Sequence, residues 1–374
     1  MEVMVIDPSF WRSQRVFLTG HTGFKGSWAS LLLSSLGAHV SGYALAPESE
    51  RDIFIAAGVA DYVEHQIGDV RDLNALIDAV KKAQPTIVLH MAAQALVRKS
   101  YLSPVETYST NVLGTVHLLE AVRQVDSVRS VVVVTSDKCY DNNEWAWGYR
   151  EIDRLGGRDP YSSSKGCAEL VTAAYRDSFF GESVTARIAT ARAGNVIGGG
   201  DWSSDRLIPD AVRAIASQET LRIRFPSAVR PWQHVLDPLL GYLRLAEMLA
   251  TGSSAYEGGW NFGPEATSEV SVEAVLGKFS DAWGHDLRWE KDGFPQPHEA
   301  KYLKLDCSKA QSMLGWESIL DFDTAISLTI DWYRAYLDCQ DMRQVTLEQI
   351  NQVLKLTRER TDIELNNERK SNAY

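Results

Sequence analysis

The chain has 374 residues, 45% of them apolar and 23% charged, which excludes disordered, fibrous and small disulfide-stapled classes and leaves room for a sizeable core. At roughly 100–200 residues per domain, two domains are expected. Acidic residues outnumber basic ones 49 to 38, for a net charge of −11, which disfavours nucleic acid and anionic membrane as partners.

The opening residues, MEVMVIDPSFW, lack the charged start and apolar stretch of a signal peptide, and no apolar run approaches the ~18 residues that span a bilayer. Cys139, Cys167, Cys307 and Cys339 are far apart and have no metal-binding spacing. The expectation is a cytoplasmic protein with free thiols and no metal.

From Arg15, VFLTG is a short apolar strand, and HTGFKGSWASLLLSSLG carries helical periodicity until Gly37 stops it. HVSGYAL is a second strand. TIVLHMAA (86–93) and SVVVVTS (130–136) follow, each preceded by a helical segment, DLNALIDAVKKA and NVLGTVHLLEAVRQV. The helix YSSSKGCAELVTAAYRDSFF then leads into the strand VTARIATARA. Continuous apolar strands alternating with helices predict a doubly wound α/β domain of Rossmann type around a parallel sheet. After about Asn195 the chain turns to Gly/Pro-rich loops between short helices, the pattern of a smaller substrate lobe. The predicted division is a cofactor domain over 14–195 and a substrate lobe over 196–355. The lobe is interleaved with the first domain, the chain returning to the first sheet near 229–262. Segments 1–13 and 356–374 are expected as tails.

Between the first strand and its helix stands Gly20-His21-Thr22-Gly23-Phe24-Lys25-Gly26. Its glycines permit a tight turn, close approach of a pyrophosphate and close packing of helix on strand, with the helix N-terminus facing the phosphates. In this context it predicts a dinucleotide site. At the end of the second strand, Ser41, Gly42 and Tyr43 stand where an acid would bind the ribose, so these residues do not choose between a 2′-hydroxyl and a 2′-phosphate. Gly68-Asp69-Val70 reads either as the acid that meets the adenine end or as a turn.

Asp159-Pro160 is a helix start, which places Tyr161 and Lys165 one turn apart on one face. A lysine ammonium beside a phenol is expected to lower the tyrosine from its ordinary pKa of about 10 towards neutrality. Such a tyrosine takes a hydroxyl proton while hydride leaves the same carbon for a nicotinamide.

Together with GDVRD, HMAAQ (90–94), YSTNVLGT (108–115), TSDK (135–138), AGNVIGGGDW (193–202), RPWQHV (230–235) and NFGP (261–264), these elements run through most of the chain. It resembles the extended short-chain dehydrogenase/reductase family of nucleotide-sugar enzymes. Within that family, HTGFKGSW and TSDKCYD are similar to the branch of 4,6-dehydratases that works on CDP-glucose.

The resemblance implies NAD as cofactor, held by the glycine loop with Asp69, Val70, Ala92, Ala93, Gln94, Asn111, Tyr161 and Lys165. It implies CDP-D-glucose as substrate, converted to the 4-keto-6-deoxy sugar and water, in deoxysugar biosynthesis for surface polysaccharide. Family dehydratases carry Thr-Asp-Glu at the end of the strand before the tyrosine; the aligned triplet here is Ser136-Asp137-Lys138. Serine then orients the sugar 4-hydroxyl, Asp137, held protonated by an apolar surround, is the C6 acid, and Lys138 is the C5 base. A free lysine is protonated at pH 7, so this role requires burial and the nearby cation of Lys165 to disfavour its charge.

By the same resemblance Arg230 and Asn195 hold the nucleotide diphosphate and sugar, with Arg206 and Lys304 as weaker candidates. His298 and Tyr302 lie in a late loop that either closes over the nucleotide or is an ordinary loop. Trp202, Trp232 and Trp260 either stack on the ligand or anchor the core. A homodimer or homotetramer is implied, pairing through helices over Thr107–Val125 and Pro160–Phe180. Another NAD-dependent nucleotide-sugar dehydratase, a 4-epimerase and a non-catalytic dinucleotide sensor are the alternatives. The epimerase has no need of the Asp137–Lys138 pair, and a sensor no need of Tyr161 and Lys165.

Overall fold

In a computed structural model that describes residues 6–181, 186–265, 268–284, 287–293 and 302–371, the first half of the chain builds a parallel sheet. Its strands are Arg15–Thr19 (β1), His39–Ala44 (β2), Glu64–Ile67 (β3), Ile87–His90 (β4), Ser130–Val134 (β5) and Arg187–Ala193 (β6). The later chain adds Asn195–Ile197 (β7), Leu221–Ile223 (β8), Val229–His234 (β9), Gly258–Phe262 (β10), Glu269–Ser271 (β11) and Trp289–Lys291 (β12). The seven-stranded sheet runs β10-β6-β5-β4-β1-β2-β3 with every pair parallel. β1 sits between β2 and β4, so the strand order reverses there. In open α/β sheets, ligands bind in the crevice at the carboxyl ends beside that reversal.

The central strands are Val/Ile/Leu runs because both sheet faces are covered. All five residues of β5 and all four of β4 are buried. The edge strand β3 escapes a reading by apolar pattern, since Glu64, His65 and Gln66 are polar, its four residues are exposed, and only pairing with β2 makes it a strand. The helix Pro160–Phe179 starts as its sequence dictates: the Asp159 carboxylate accepts from the Ser162 amide at 2.9 Å, with proline at the first helical position.

Three features depart from expectation. The helix predicted over 107–125 is divided into Pro104–Tyr108, a π-type turn at Ser109–Leu113, and Gly114–Val122. Such a turn has the same apolar spacing as an α-helix but rotates one residue inward, here Asn111. The return to the first sheet is made by the helix Leu236–Ala250 and by β10, whereas β9 belongs to a separate three-stranded sheet, β11-β9-β7. The expected tails are packed: Trp11 is fully buried and donates its indole N–H to Glu247 Oε1 at 2.6 Å. At the other end the helix Met342–Ser371 runs through the second tail, with Thr357 and Thr361 buried and Arg360 paired with Glu317.

Candidate active site

A cleft of about 1250 Å³ opens at the carboxyl ends of the sheet, between the first domain and the later lobe. Its floor is the glycine loop. Gly20 is left-handed (φ +78°), and a Cβ there would lie 2.7 Å from the Ala92 amide nitrogen. A Cβ on Gly26 would lie 2.1 Å from the Gly20 carbonyl oxygen, so glycine alone lets the helix Phe24–Ser35 start this close to the turn. Gly23 is the N-cap and leaves the first helical N–H groups open to the cleft. The free N–H groups of this helix N-terminus, facing the cleft beside a tightly packed glycine turn, fit the phosphates of a dinucleotide.

The remaining loop residues divide. Thr22, Phe24 and Lys25 line the cleft with Gly20, Gly23 and Gly26. His21 does not: its ring is buried beneath the loop, Nε2 2.6 Å from His65 Nδ1 and edge-on to Phe54. Burial and the neighbouring His65 pull its pKa down to about 4. Only its backbone remains available to a ligand.

Asp69, Val70, Ala92, Ala93 and Gln94 all line the cleft. The Asp69 carboxylate is bonded by Arg71 Nε at 3.0 and 2.9 Å, and this bond holds it below the ordinary carboxylate range. Asn111 stands one layer behind. Its side chain accepts from the Gln94 amide at 2.8 Å and donates to the Gln94 carbonyl at 3.0 Å and to Ser164 Oγ at 2.8 Å. It positions the wall of the cleft. A residue not foreseen is Thr19, whose hydroxyl accepts from the Met91 and Ala92 amides, each at 3.1 Å, and ties β1 to the exit of β4.

At the other end of the cleft, the turn after β5 brings Ser136, Asp137 and Lys138 opposite Tyr161 and Lys165. Ser136 Oγ donates to Asp137 Oδ1 at 2.9 Å and accepts from the Lys138 amide at 3.2 Å. Asp137 is 2% exposed and its Oδ2 has no partner among the described residues. Burial raises its pKa, against the pull of Lys138, Ser136 and Arg230. The shift is in the direction that a proton donor requires. Lys138 is half-buried rather than enclosed.

The expectation for Tyr161 is corrected. Its pKa is pushed up, to about 12, because burial outweighs the relief given by Ser136 and Arg206. The ammonium of Lys165 is turned to the Val134 carbonyl at 3.2 Å, and burial pulls it down to about 8. The protein by itself therefore stores a neutral phenol.

Behind Lys165 lies a network that the sequence reading missed. Glu169, one turn further along the same helix face, is doubly bonded by Arg192 and accepts from Thr135 and Thr190 at 2.5 and 2.6 Å. Burial pushes Glu169 up, but Arg192 outweighs it and the group is held ionised. The spacing Tyr161-Lys165-Glu169 was the available signal.

On the lobe side, Arg230 is 6% exposed on β9 and close enough to Asp137 to act on it, and Asn195 begins β7 at the cleft wall. Arg206 reaches the cleft while bonded to Asp201 at 2.9 Å. Across the cleft, Arg98 of the first domain bonds Asp205 of the lobe at 2.7 Å. Lys304 is paired with Glu269. Tyr302 is largely exposed and does not line the cleft, its carbonyl accepting from Asn142 at 2.9 Å. His298 lies outside the described residues. Trp260 is a core anchor, buried and bonded to the Tyr256 carbonyl, whereas Trp202 and Trp232 line the cleft, Trp232 being also largely buried and bonded to the Val270 carbonyl.

A dinucleotide cradle facing a Tyr/Lys pair and a Ser-Asp-Lys turn is the site of a short-chain dehydrogenase/reductase of the extended kind. The chain belongs to that family of nucleotide-sugar enzymes: residues 17–329 match the family described as GDP-mannose 4,6 dehydratase. It is 50% identical over 357 residues to the CDP-glucose 4,6-dehydratase of Salmonella typhimurium, covering 94% of this chain and 99% of the relative. Among solved structures, MoeE5 in complex with UDP-glucose and NAD is 26% identical and superposes with a TM-score of 0.73, over 86% of this chain and 99% of that one. The dTDP-glucose 4,6-dehydratase DesIV of Streptomyces venezuelae, a double mutant with NAD bound, shares the fold, with a TM-score of 0.75 at 24% identity over 87% and 99% of the two chains.

Proposed function

We propose that the protein is an NAD-dependent CDP-glucose 4,6-dehydratase, a hydro-lyase that converts CDP-D-glucose to CDP-4-keto-6-deoxy-D-glucose and water. The observation that carries the reading is the buried Asp137 carboxyl, its pKa raised by burial, beside Lys138 and facing Tyr161, in a chain half-identical to such an enzyme.

Bound NAD supplies the acceptor for the C4 hydride and its return to C6, so the sugar undergoes no net oxidation. The chain's own residues move the protons. Tyr161 takes the proton of the C4 hydroxyl, with Ser136 orienting that hydroxyl. The positive charge of the oxidised ring and the Lys165 ammonium act against the burial that holds the phenol neutral. Oxidation at C4 acidifies C5, and Lys138 removes the C5 proton while Asp137 delivers its own to the departing C6 hydroxyl as water; Lys138 then gives the proton back to C5 as the hydride returns to C6. Arg230 and Arg206 meet the substrate's diphosphate.

A homodimer or homotetramer is supported by the apolar side chains left exposed on one set of helices: Leu102 and Val105 before the π-type turn, Leu113 within it, and Leu170 on the helix Pro160–Phe179. Light scattering tests this, a monomer being the adverse result. The cysteines are free thiols, which supports a reducing compartment, the cytoplasm. No described helix is long and apolar enough to cross a membrane.

The decisive experiment is to supply CDP-, dTDP-, GDP- and UDP-glucose in turn with NAD. A 4-keto-6-deoxy product from the CDP sugar alone is the expected outcome. A 4-epimerised product would make the chain an epimerase, and inactivity on all four with NAD bound would leave it a dinucleotide sensor.

A further inference from the structure

Val134 at the end of β5 lies opposite Ala191 of β6, so Asp137 and Gly194, each three residues further on, leave the sheet side by side. Gly194 stands alone between β6 and β7 and lines the cleft. A Cβ placed on it would lie 3.2 Å from Asp137 Oδ2 and 3.0 Å from Pro231 Cγ. The backbone there does not call for glycine, since its φ is not left-handed. What the position lacks is a side chain, and what that leaves clear is one oxygen of a carboxyl.

The two oxygens of Asp137 differ in their surroundings. Oδ1 accepts from Ser136 Oγ at 2.9 Å, whereas Oδ2 has no partner among the described residues. A methyl group at position 194 would press on both of its neighbours more tightly than ordinary packing allows, so one of them has to give way. Pro231 is not free to do so. It is buried on β9, its ring fixes its own backbone, and β9 is paired with β7 on one side and β11 on the other. The Asp137 side chain turns about its own bonds and is the member that moves.

We propose that Gly194 is a positioning residue for the elimination step: its lack of a side chain holds open the place from which Asp137 Oδ2 meets the C6 hydroxyl. This rests on the dehydratase reading of the site. In that step a proton passes from Asp137 to the C6 oxygen, the C6–O bond breaks and water leaves. Lys138 takes the C5 proton, and the electrons of the C5–H bond form the C5–C6 double bond. Gly194 acts through Asp137 alone, so uptake of the C4 hydroxyl proton by Tyr161 does not depend on it.

The test compares the wild type with Gly194→Ala, Asp137→Ala and the double variant. With CDP-glucose and NAD, Gly194→Ala is expected to lower kcat about tenfold or more with KM within about twofold, and to build up reduced-cofactor absorbance because C4 oxidation outruns elimination. On CDP-6-deoxy-6-fluoroglucose, whose fluoride leaves with far less help from an acid, the variant should come within about threefold of wild type. Added to Asp137→Ala, Gly194→Ala should cost no more than about twofold further, since the group it displaces is gone. An unchanged kcat in Gly194→Ala, or loss of C4 oxidation and elimination together, overturns the proposal. Thermal melting establishes that each variant is folded. If Gly194→Ala is not, recovery of the fold in the double variant supports the clash with the carboxyl, and no recovery makes Gly194 a residue of the fold alone, which also overturns the proposal. If the wild type forms a 4-keto-6-deoxy product from no nucleotide sugar, the dehydratase reading itself fails, an outcome distinct from an unchanged variant.

Discussion

Arg192 grips Glu169 with two nitrogens, Nε at 2.9 Å on one carboxylate oxygen and Nη2 at 2.7 Å on the other, and both side chains are 4% exposed. Two strands and the helix Pro160–Phe179 meet at this pair, because Glu169 also accepts from Thr135 and Thr190. Breaking a buried pair leaves an uncompensated charge. Glu169→Ala is expected to lower stability by about 3–5 kcal/mol in urea unfolding. Because Glu169 also opposes the discharge of Lys165, Glu169→Gln should lower kcat more than it raises KM and should move the pH profile. A loss below about 1 kcal/mol in Glu169→Ala would remove the pair from this role.

The division of labour between Asp137 and Lys138 predicts two different failures. In Lys138→Ala, incubated with substrate in deuterated water, deuterium at C5 of the product should enter at least about a hundredfold more slowly than in wild type. In Asp137→Asn, C4 oxidation should proceed and the elimination should stall, seen as build-up of reduced-cofactor absorbance. Wild-type deuterium entry in Lys138→Ala would mean that another group is the base.

Two glycines of the same loop should respond unequally to one methyl group. Gly26→Ala would place a Cβ 2.1 Å from the Gly20 carbonyl, so the turn must shift, at a cost of about 1–3 kcal/mol and with weakened NAD binding in calorimetry. Gly23→Ala meets the same carbonyl at 3.4 Å, an ordinary contact, and should fold with stability within about 0.5 kcal/mol of wild type. Equal destabilisation by both would contradict the geometry described for the loop.

Asp237, on the helix Leu236–Ala250, accepts from the Ile319 amide at 2.8 Å and from Ser318 Oγ at 3.1 Å, yet burial raises its pKa to about 7. A group whose folded pKa lies above its unfolded one stabilises fully below the unfolded value, and that contribution is lost as pH rises through the folded one. Asp237→Asn keeps the shape and an acceptor for the amide without the charge. Between pH 5 and pH 8 its stability relative to wild type should therefore improve by on the order of 1–3 kcal/mol in urea titrations. A pH-independent difference would show that Asp237 does not titrate in that window.

Much of the site was legible before any coordinates. The glycine spacing, the Asp159-Pro160 cap and the Tyr161/Lys165 face depend on neighbours within a few residues, where local geometry dictates structure. The strand β3 was not legible, because a polar edge strand carries no apolar signal, and neither was the π-type turn that rotates Asn111 inward. His21 shows the same limit inside a motif: its position in the loop is local, but its burial against His65 and Phe54 depends on β3 and on the short helix Ile53–Ala56.

Composition and charge still say what they said at the outset. An acidic chain of this length can hold a small anionic ligand only with placed groups, and the sequence alone supplied the glycine loop, the Tyr/Lys pair and the Ser-Asp-Lys turn as those groups. Tertiary structure decided their electrostatic states. The Tyr161 phenol is raised rather than lowered, the Asp137 carboxyl is raised by burial, and the Lys165 ammonium is pulled down. Desolvation and charge–charge terms sum over residues far apart in sequence, so the order of residues along the chain does not contain them until the fold brings them together.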